Sequence, residues 1–254
     1  MVLAAGLGTR LRPLTDDCPK ALVTVSGRTL LEITLARLRG FDVRDVVVNA
    51  HHYAEMIVAY LAAHGNFGMS IEVSREETLL DTGGGLKKAA AFFLQDDEPF
   101  FVHNVDVIST IDLVRMAAFH REQGALATLA VAEREASRLL LFDAAGQLCG
   151  RPAKKDADPE QARPANQTHA LAFAGIHVVS PRIFALMREE GAFSIIDAYL
   201  RLAAQGEKVV AFRADGAYWR DLGRPESVAA AERDVASGVA GNQGSNGGLH
   251  RSQK

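Results

Sequence analysis

Two hydrophobic rhythms alternate along the chain. Short apolar-rich stretches read as strands over residues 1–4, 43–49, 69–73, 99–102, 124–131 and 170–179, and the Val46-Val47-Val48 run is apolar on both faces. Between them apolar residues recur at helical spacing; Leu30, Leu31, Ile33, Leu35 and Leu38 make one stripe that ends near Gly40. The same spacing predicts helices over 29–38, 54–61, 86–94, 113–119, 182–187, 194–204 and 225–235, with Asp112 as a candidate cap for the fourth. Residues 139–142 and 147–149 read as a hairpin across 143–146, and 208–212 with 217–219 as a closing strand pair. This alternation predicts an α/β fold: a doubly wound, mostly parallel sheet with helices on both faces and a small antiparallel elaboration.

Periodicity vanishes over 151–167, where three prolines and several charges predict an exposed excursion. Residues 237–254 are rich in Gly, Ser, Asn and Gln, too poor in large apolar groups to offset ordering entropy, so a disordered tail is expected behind a single domain over 1–236. A net charge of −3 over 254 residues argues against a bulk basic surface for nucleic acid and favours a small-molecule partner. Two cysteines are too few for a disulfide framework, and no run of 18 apolar residues offers a membrane span, so the cytoplasm is the expected compartment. Cys18 has no neighbouring His or second Cys in sequence, which disfavours a catalytic thiol. Nothing in the pattern fixes an oligomeric state.

The chemistry concentrates in LAAGLGTRLRPLTDDCPKAL, residues 3–22. Ala5, Gly6 and Gly8 remove side-chain bulk where the first strand turns, so bare backbone can approach a ligand, and successive N–H groups in such a turn make an anion-binding concavity. Thr9, Arg10 and Arg12 add a hydroxyl and fixed positive charge, and Lys20 delivers another cation behind Pro19. Phosphate fits that donor set. Neither common glycine motif is present: Gly8 is followed by Thr-Arg rather than Lys-Ser/Thr, and Leu11 stands where a dinucleotide fingerprint needs glycine. Asn49, His51 and His52 follow a strand end, where ligands of open α/β sheets bind. Adjacent histidines diverge, so a base or substrate contact from one of them, or a plain helix start, fits better than a metal pair. Gly83-Gly84-Gly85 ahead of a helix reads as backbone lying against a flat ligand or as a flexible loop. Asp106, ending the 99–102 strand segment, reads as a cation ligand or as a helix cap.

Residues Gly6 to Lys20 match, without a gap, the signature G-x-G-T-R-x-x-P-x-T-x-x-x-P-K, and the chain thereby resembles the sugar-1-phosphate nucleotidyltransferases. Asp81-Thr82-Gly83-Gly84-Gly85 is similar to that family's nucleobase loop, in a form closer to its uridylyl- and guanylyltransferase branches. Asn104-Val105-Asp106 resembles its N-G-D segment, with valine in place of glycine; Phe173 to Pro181 resembles F-x-G-I-x-V-x-x-P, and Trp219 to Pro225 resembles W-x-D-x-G-T/R-P. The resemblance implies nucleotide binding by Leu3, Ala4, Ala5, Gly6, Gly8, Thr9, Arg10, Asn49, His51, Thr82, Gly83 and Gly84. It implies sugar-phosphate contacts from Lys20, Asn104 and Gly175, Mg²⁺ on Asp106 and Asp221, and catalysis by Arg10, Lys20 and Asp106. Sugar selection would fall in the 151–167 excursion. The implied substrates are a nucleoside triphosphate and a sugar 1-phosphate, with UTP and N-acetylmuramate 1-phosphate ahead of GTP and mannose 1-phosphate. A nucleotide-sugar binding homologue without turnover is the alternative, motivated by Val105.

Overall fold

The computed structural model describes residues 1–136, 139–152 and 160–240. In chain order the strands are β1 (Val2–Leu3), β2 (Thr24–Val25), β3 (Arg28–Thr29), β4 (Asp45–Ala50), β5 (Ser70–Arg75), β6 (Phe100–Asn104), β7 (Val107–Ser109), β8 (Ala127–Ala132), β9 (Leu139–Phe142), β10 (Leu148–Arg151), β11 (Glu160–Gln161), β12 (His169–Val179), β13 (Val209–Arg213) and β14 (Trp219–Asp221). The helices are α1 (Leu30–Gly40), α2 (Ala54–Ala63), α3 (Asp81–Lys88), α4 (Ala90–Phe93), α5 (Leu113–Gln123), α6 (Ile183–Leu186), α7 (Ile195–Ala204) and α8 (Pro225–Ala236).

One mixed sheet runs β11-β10-β9-β12-β6-β1-β4-β5, with β8 on β12 and β13 on β8. β5, β4, β1 and β6 are mutually parallel, as the apolar runs predict, while β12 is antiparallel to β6, β8 and β9. Alternate strand residues enter opposite cores: Val2, Val46 and Val48 pack under α1, and Leu3 and Val47 pack with residues of α3 and α7. Burial on both faces is why β1 and β4 read as continuous apolar runs. Local signals set the helix starts. Thr29 Oγ1 accepts the Glu32 N–H at 3.0 Å at the head of α1, and Asp112 Oδ1 accepts the Arg115 N–H at 3.0 Å at the head of α5. Among the described residues no helix is long and apolar enough to cross a membrane.

Three expectations change. The segments 208–212 and 217–219 do not pair with each other. β13 lies parallel to β8, and its other edge is taken by the 143–146 turn, where the Ala211 N–H donates to the Gly146 carbonyl at 2.8 Å. With both edges used, β14 pairs instead with β7, a strand that three residues were too short to signal. The glycine triplet does not precede its helix but lies inside α3, and the expected 86–94 helix breaks at Ala89 into α3 and α4. At the far end, Gly238 (φ 77°) turns the chain back after α8 and Ala240 is buried, so order extends past 236. Residues 241–254 of the expected tail lie outside the described residues, as do 153–159 of the excursion.

Candidate active site

The carboxyl ends of β1, β4 and β6 open onto a cleft of about 540 Å³, a volume ordinary for small-molecule sites. Its first wall is the turn after β1. Gly8 is left-handed (φ 65°) and opens a single 3-10 turn over Thr9–Leu11. A Cβ on Gly8 would stand 2.9 Å from Thr15 Cγ2 and 3.2 Å from Lys20 Cβ, so the loop folds back on itself only where a side chain is missing. Buried Thr15 clasps it, donating from Oγ1 to the Gly8 carbonyl at 2.8 Å.

Charge gathers where this loop meets the ends of β6 and β14. Lys20 and Asp106 form an ion pair with side chains 14 % and 8 % exposed. Asp106 occupies the turn between β6 and β7; α5 is capped by Asp112 instead, which removes the helix-cap reading of Asp106. Asp221, last in β14, stands opposite Val107, and the Leu222 N–H donates to the Asp106 carbonyl at 2.8 Å, so the short β7-β14 ladder brings the two aspartates together. The Gly223 N–H donates to Asp221 Oδ1 at 2.7 Å. A Cβ on Gly223 would lie 2.8 Å from both Asp221 Oδ1 and Arg10 Nη2, which holds carboxylate and guanidinium within twice that distance of each other. Arg10, Lys20 and Asp106 thus line one cleft, and the Asp221 carboxylate stands just behind its Gly223 wall. Hard oxygen donors on neighbouring turns suit Mg²⁺, which takes one or two carboxylates and fills its octahedron with phosphate oxygens and water. Among the described residues no group of three or more His, Cys, Asp or Glu side chains forms a self-sufficient metal cage.

The opposite wall comes from the start of α3 with the segment before it and from a strap over 191–195. Leu79, Asp81, Thr82 and Ala192 line the cleft. The Gly83 N–H donates to the Phe193 carbonyl at 2.9 Å, and the Phe193 N–H donates to the Leu80 carbonyl at 3.1 Å. The Ile195 N–H reaches Thr82 Oγ1 at 3.0 Å. Added Cβ atoms on Gly83 and Gly84 would stand 2.3 Å from the Phe193 ring and from the Gly191 carbonyl oxygen. These two glycines are therefore packing residues under the strap, not bare backbone facing the cleft.

Of the sequence-derived candidates, Leu3, Ala5, Gly6, Gly8, Thr9, Arg10, Lys20, Asn49, Thr82, Asn104 and Asp106 line the cleft, whereas Ala4, His51, Gly83, Gly84, Gly175 and Asp221 do not. Ala4 is buried and donates its N–H to Asn49 Oδ1 at 2.7 Å; His51 Nδ1 donates to the Glu76 carbonyl at 2.8 Å. Gly175 (φ 77°) acts through a neighbour: a Cβ there would meet Asn104 Nδ2 at 2.6 Å, so its absence lets Asn104 reach the cleft edge. The β-bulge between Phe173 and His177 centres on the same residue. Val105, in place of the resemblance's glycine, is 2 % exposed and packs in the core while its N–H donates to the Leu3 carbonyl at 3.1 Å. Sequence reasoning missed Glu76, Ala192 and Gly223. A lone Glu or Ala carries no positional signal, although Gly223 stood within a quoted motif.

A family model described as nucleotidyl transferase matches residues 1–238. The chain belongs to that family. This nucleotidyl transferase is 36% identical over 249 residues to the N-acetylmuramate alpha-1-phosphate uridylyltransferase of Caulobacter vibrioides, covering 93% of this chain and 96% of that protein. It is 30% identical over 230 residues to a mannose-1-phosphate guanyltransferase of Candida albicans, covering 89% of this chain and 61% of the longer yeast protein. Among solved structures it shares its fold with HddC from Yersinia pseudotuberculosis complexed with GMP-PN, at TM-score 0.72 and 21% identity over 92% of this chain and 97% of that one.

Proposed function

We propose that this nucleotidyltransferase joins a nucleoside monophosphate, taken from a nucleoside triphosphate, to a sugar 1-phosphate and releases pyrophosphate. The observation that carries the reading is the meeting of Arg10, Lys20 and Asp106 on one cleft at the carboxyl edge of the sheet, with the Asp221 carboxylate behind them against Gly223 and Arg10. In this reaction a sugar-phosphate oxygen forms a bond to the α-phosphorus while the bond from that phosphorus to the bridging oxygen of pyrophosphate breaks. No protein nucleophile is needed, so catalysis rests on positioning and charge neutralisation. Arg10 and Lys20 hold the triphosphate and the departing pyrophosphate; Lys20 leaves Asp106 as phosphate oxygens replace that carboxylate as its partner. Asn104 orients the sugar phosphate. Asp106 and Asp221 would hold Mg²⁺, which when bound supplies charge neutralisation at the phosphate oxygens.

UTP with N-acetylmuramate 1-phosphate is the favoured pair, because the Caulobacter vibrioides relative so named covers nearly the whole of both chains. GTP with mannose 1-phosphate comes second on the shorter-coverage match. A pyrophosphate-release screen of four nucleoside triphosphates against a panel of sugar 1-phosphates tests both. Release confined to dTTP with glucose 1-phosphate would refute the assignment, and nucleotide-sugar binding without release would favour the non-catalytic alternative.

A further inference from the structure

Glu76 lies at the end of β5, 4 % exposed, and none of the ion pairs found among the described residues includes it. Its carboxylate is nevertheless fully engaged: Asn49 Nδ2 donates to Oε1 at 2.7 Å and the Leu80 N–H donates to Oε2 at 2.9 Å. Asn49 is committed at its other end too, since Oδ1 accepts the Ala4 N–H at 2.7 Å. A chain of donors and acceptors therefore runs from the start of the phosphate loop, through Asn49 and Glu76, to the backbone one residue ahead of α3. The Glu76 backbone extends it, donating to the Ala50 carbonyl at 2.7 Å and accepting from His51. Gly85 leaves room for it: a Cβ there would meet Glu76 Oε1 at 2.6 Å and Asn49 Nδ2 at 2.7 Å.

We infer that Glu76 is a positioning residue that sets the spacing between the two walls of the nucleotide cleft, acting through Asn49 on the Ala4–Gly8 loop and through Leu80 on the Leu79–Thr82 wall. This rests on the reading of the cleft as a nucleotide site. The chemistry demands a carboxylate. Both groups that reach Glu76 are donors, and one is a backbone N–H that cannot be exchanged for an acceptor. A glutamine satisfies only one of them. Its oxygen must take the Leu80 N–H, which sets its NH₂ against Asn49 Nδ2; flipping Asn49 merely moves the conflict to the Ala4 N–H. The order of groups predicts its own repair, because Asn49→Asp beside Glu76→Gln offers acceptors to Ala4 and to the new NH₂ and restores every bond with the net charge unchanged.

The test compares wild type, Glu76→Gln, Asn49→Asp and the swapped pair. Dissociation constants for UTP and GTP with Mg²⁺ come from calorimetry, and KM and kcat from pyrophosphate release. Glu76→Gln should weaken the preferred nucleotide on the order of ten- to a hundredfold, the effect of one buried unpaired donor, with kcat at saturation and KM for the sugar phosphate little moved. The swapped pair should recover most of that loss although each single change is harmful. Nucleotide affinity in Glu76→Gln equal to wild type, even at a lowered melting temperature, would reduce Glu76 to a structural residue and overturn the inference. So would a folded swapped pair that does not recover. Where Glu76→Gln fails to fold, the swapped pair decides alone, by folding with near-normal nucleotide affinity or by binding poorly. Wild type that binds nucleotide without releasing pyrophosphate removes the enzymatic reading and leaves this inference standing; wild type that binds neither nucleotide removes both.

Discussion

Arg10 is exposed and stands beside Gly223 and Asp221, whereas Lys20 is nearly buried against Asp106. Arg10→Lys conserves charge but loses the planar fork that meets phosphate oxygens two at a time, so turnover should fall on the order of ten- to a thousandfold with the melting temperature unchanged. Lys20→Met should lose comparable rate and also stability, because it strands a buried carboxylate, a change of about 3–5 kcal/mol when such a pair is fully enclosed. Wild-type turnover in both variants would mean the cleft binds something else. Asp106→Asn and Asp221→Asn should each lower turnover sharply, and the double variant should cost little more than the worse single one, since in the proposed mechanism both would hold one ion. Full multiplication of the two losses in steady-state kinetics would separate their roles.

Among elements, α3 shows what glycine can mean. Gly6 has no neighbour within 4 Å of an added Cβ, so Gly6→Ala should fold normally and lose nucleotide affinity only. Gly84→Ala should instead destabilise the fold by about 1–3 kcal/mol, the cost of overpacking, because its Cβ would meet the fixed Gly191 carbonyl. Equal denaturation midpoints for the two variants would contradict this division. The parallel strands and capped helices were legible in the sequence because burial on two faces and Ser/Thr/Asp caps leave local patterns. The role of Gly83 and Gly84 was not, since their constraint comes from Phe193 and Gly191, more than a hundred residues away. Likewise, the meeting of Asp106 with Asp221 depends on β7 and β14, three residues each, too short to carry a period. The Gly6 to Lys20 loop was readable because its chemistry is contiguous. Glu76 was not, because its donors arrive from β4 and from the backbone ahead of α3.

For the whole molecule, three buried histidines contribute to the response to acid. Burial lowers His177 from its ordinary 6.5 to about 3, and burial first, with nearby arginines second, lowers His103 and His120 to about 4. His120 bridges Thr128 and Ser180, and His177 Nδ1 lies 2.6 Å from the Tyr199 hydroxyl. As pH drops below 6.5 the unfolded chain takes up protons that the folded chain refuses, so this stability is complete above 6.5 and declines down to about 4 for His103 and His120 and about 3 for His177. Thermal midpoints should therefore fall between pH 6.5 and 4, and a flat profile there would contradict neutral buried imidazoles. The proposed function rests at this scale on one cleft joining the ends of strands from both halves of the chain, and phosphorus NMR of a reaction mixture reads that function most directly. With Mg²⁺, UTP and N-acetylmuramate 1-phosphate, or GTP and mannose 1-phosphate, the spectra should show equal molar loss of both substrates and equal gain of pyrophosphate and a nucleotide-diphosphate sugar, halted by chelator. Nucleoside monophosphate in place of the nucleotide sugar, or no pyrophosphate with any triphosphate and sugar 1-phosphate, would contradict it.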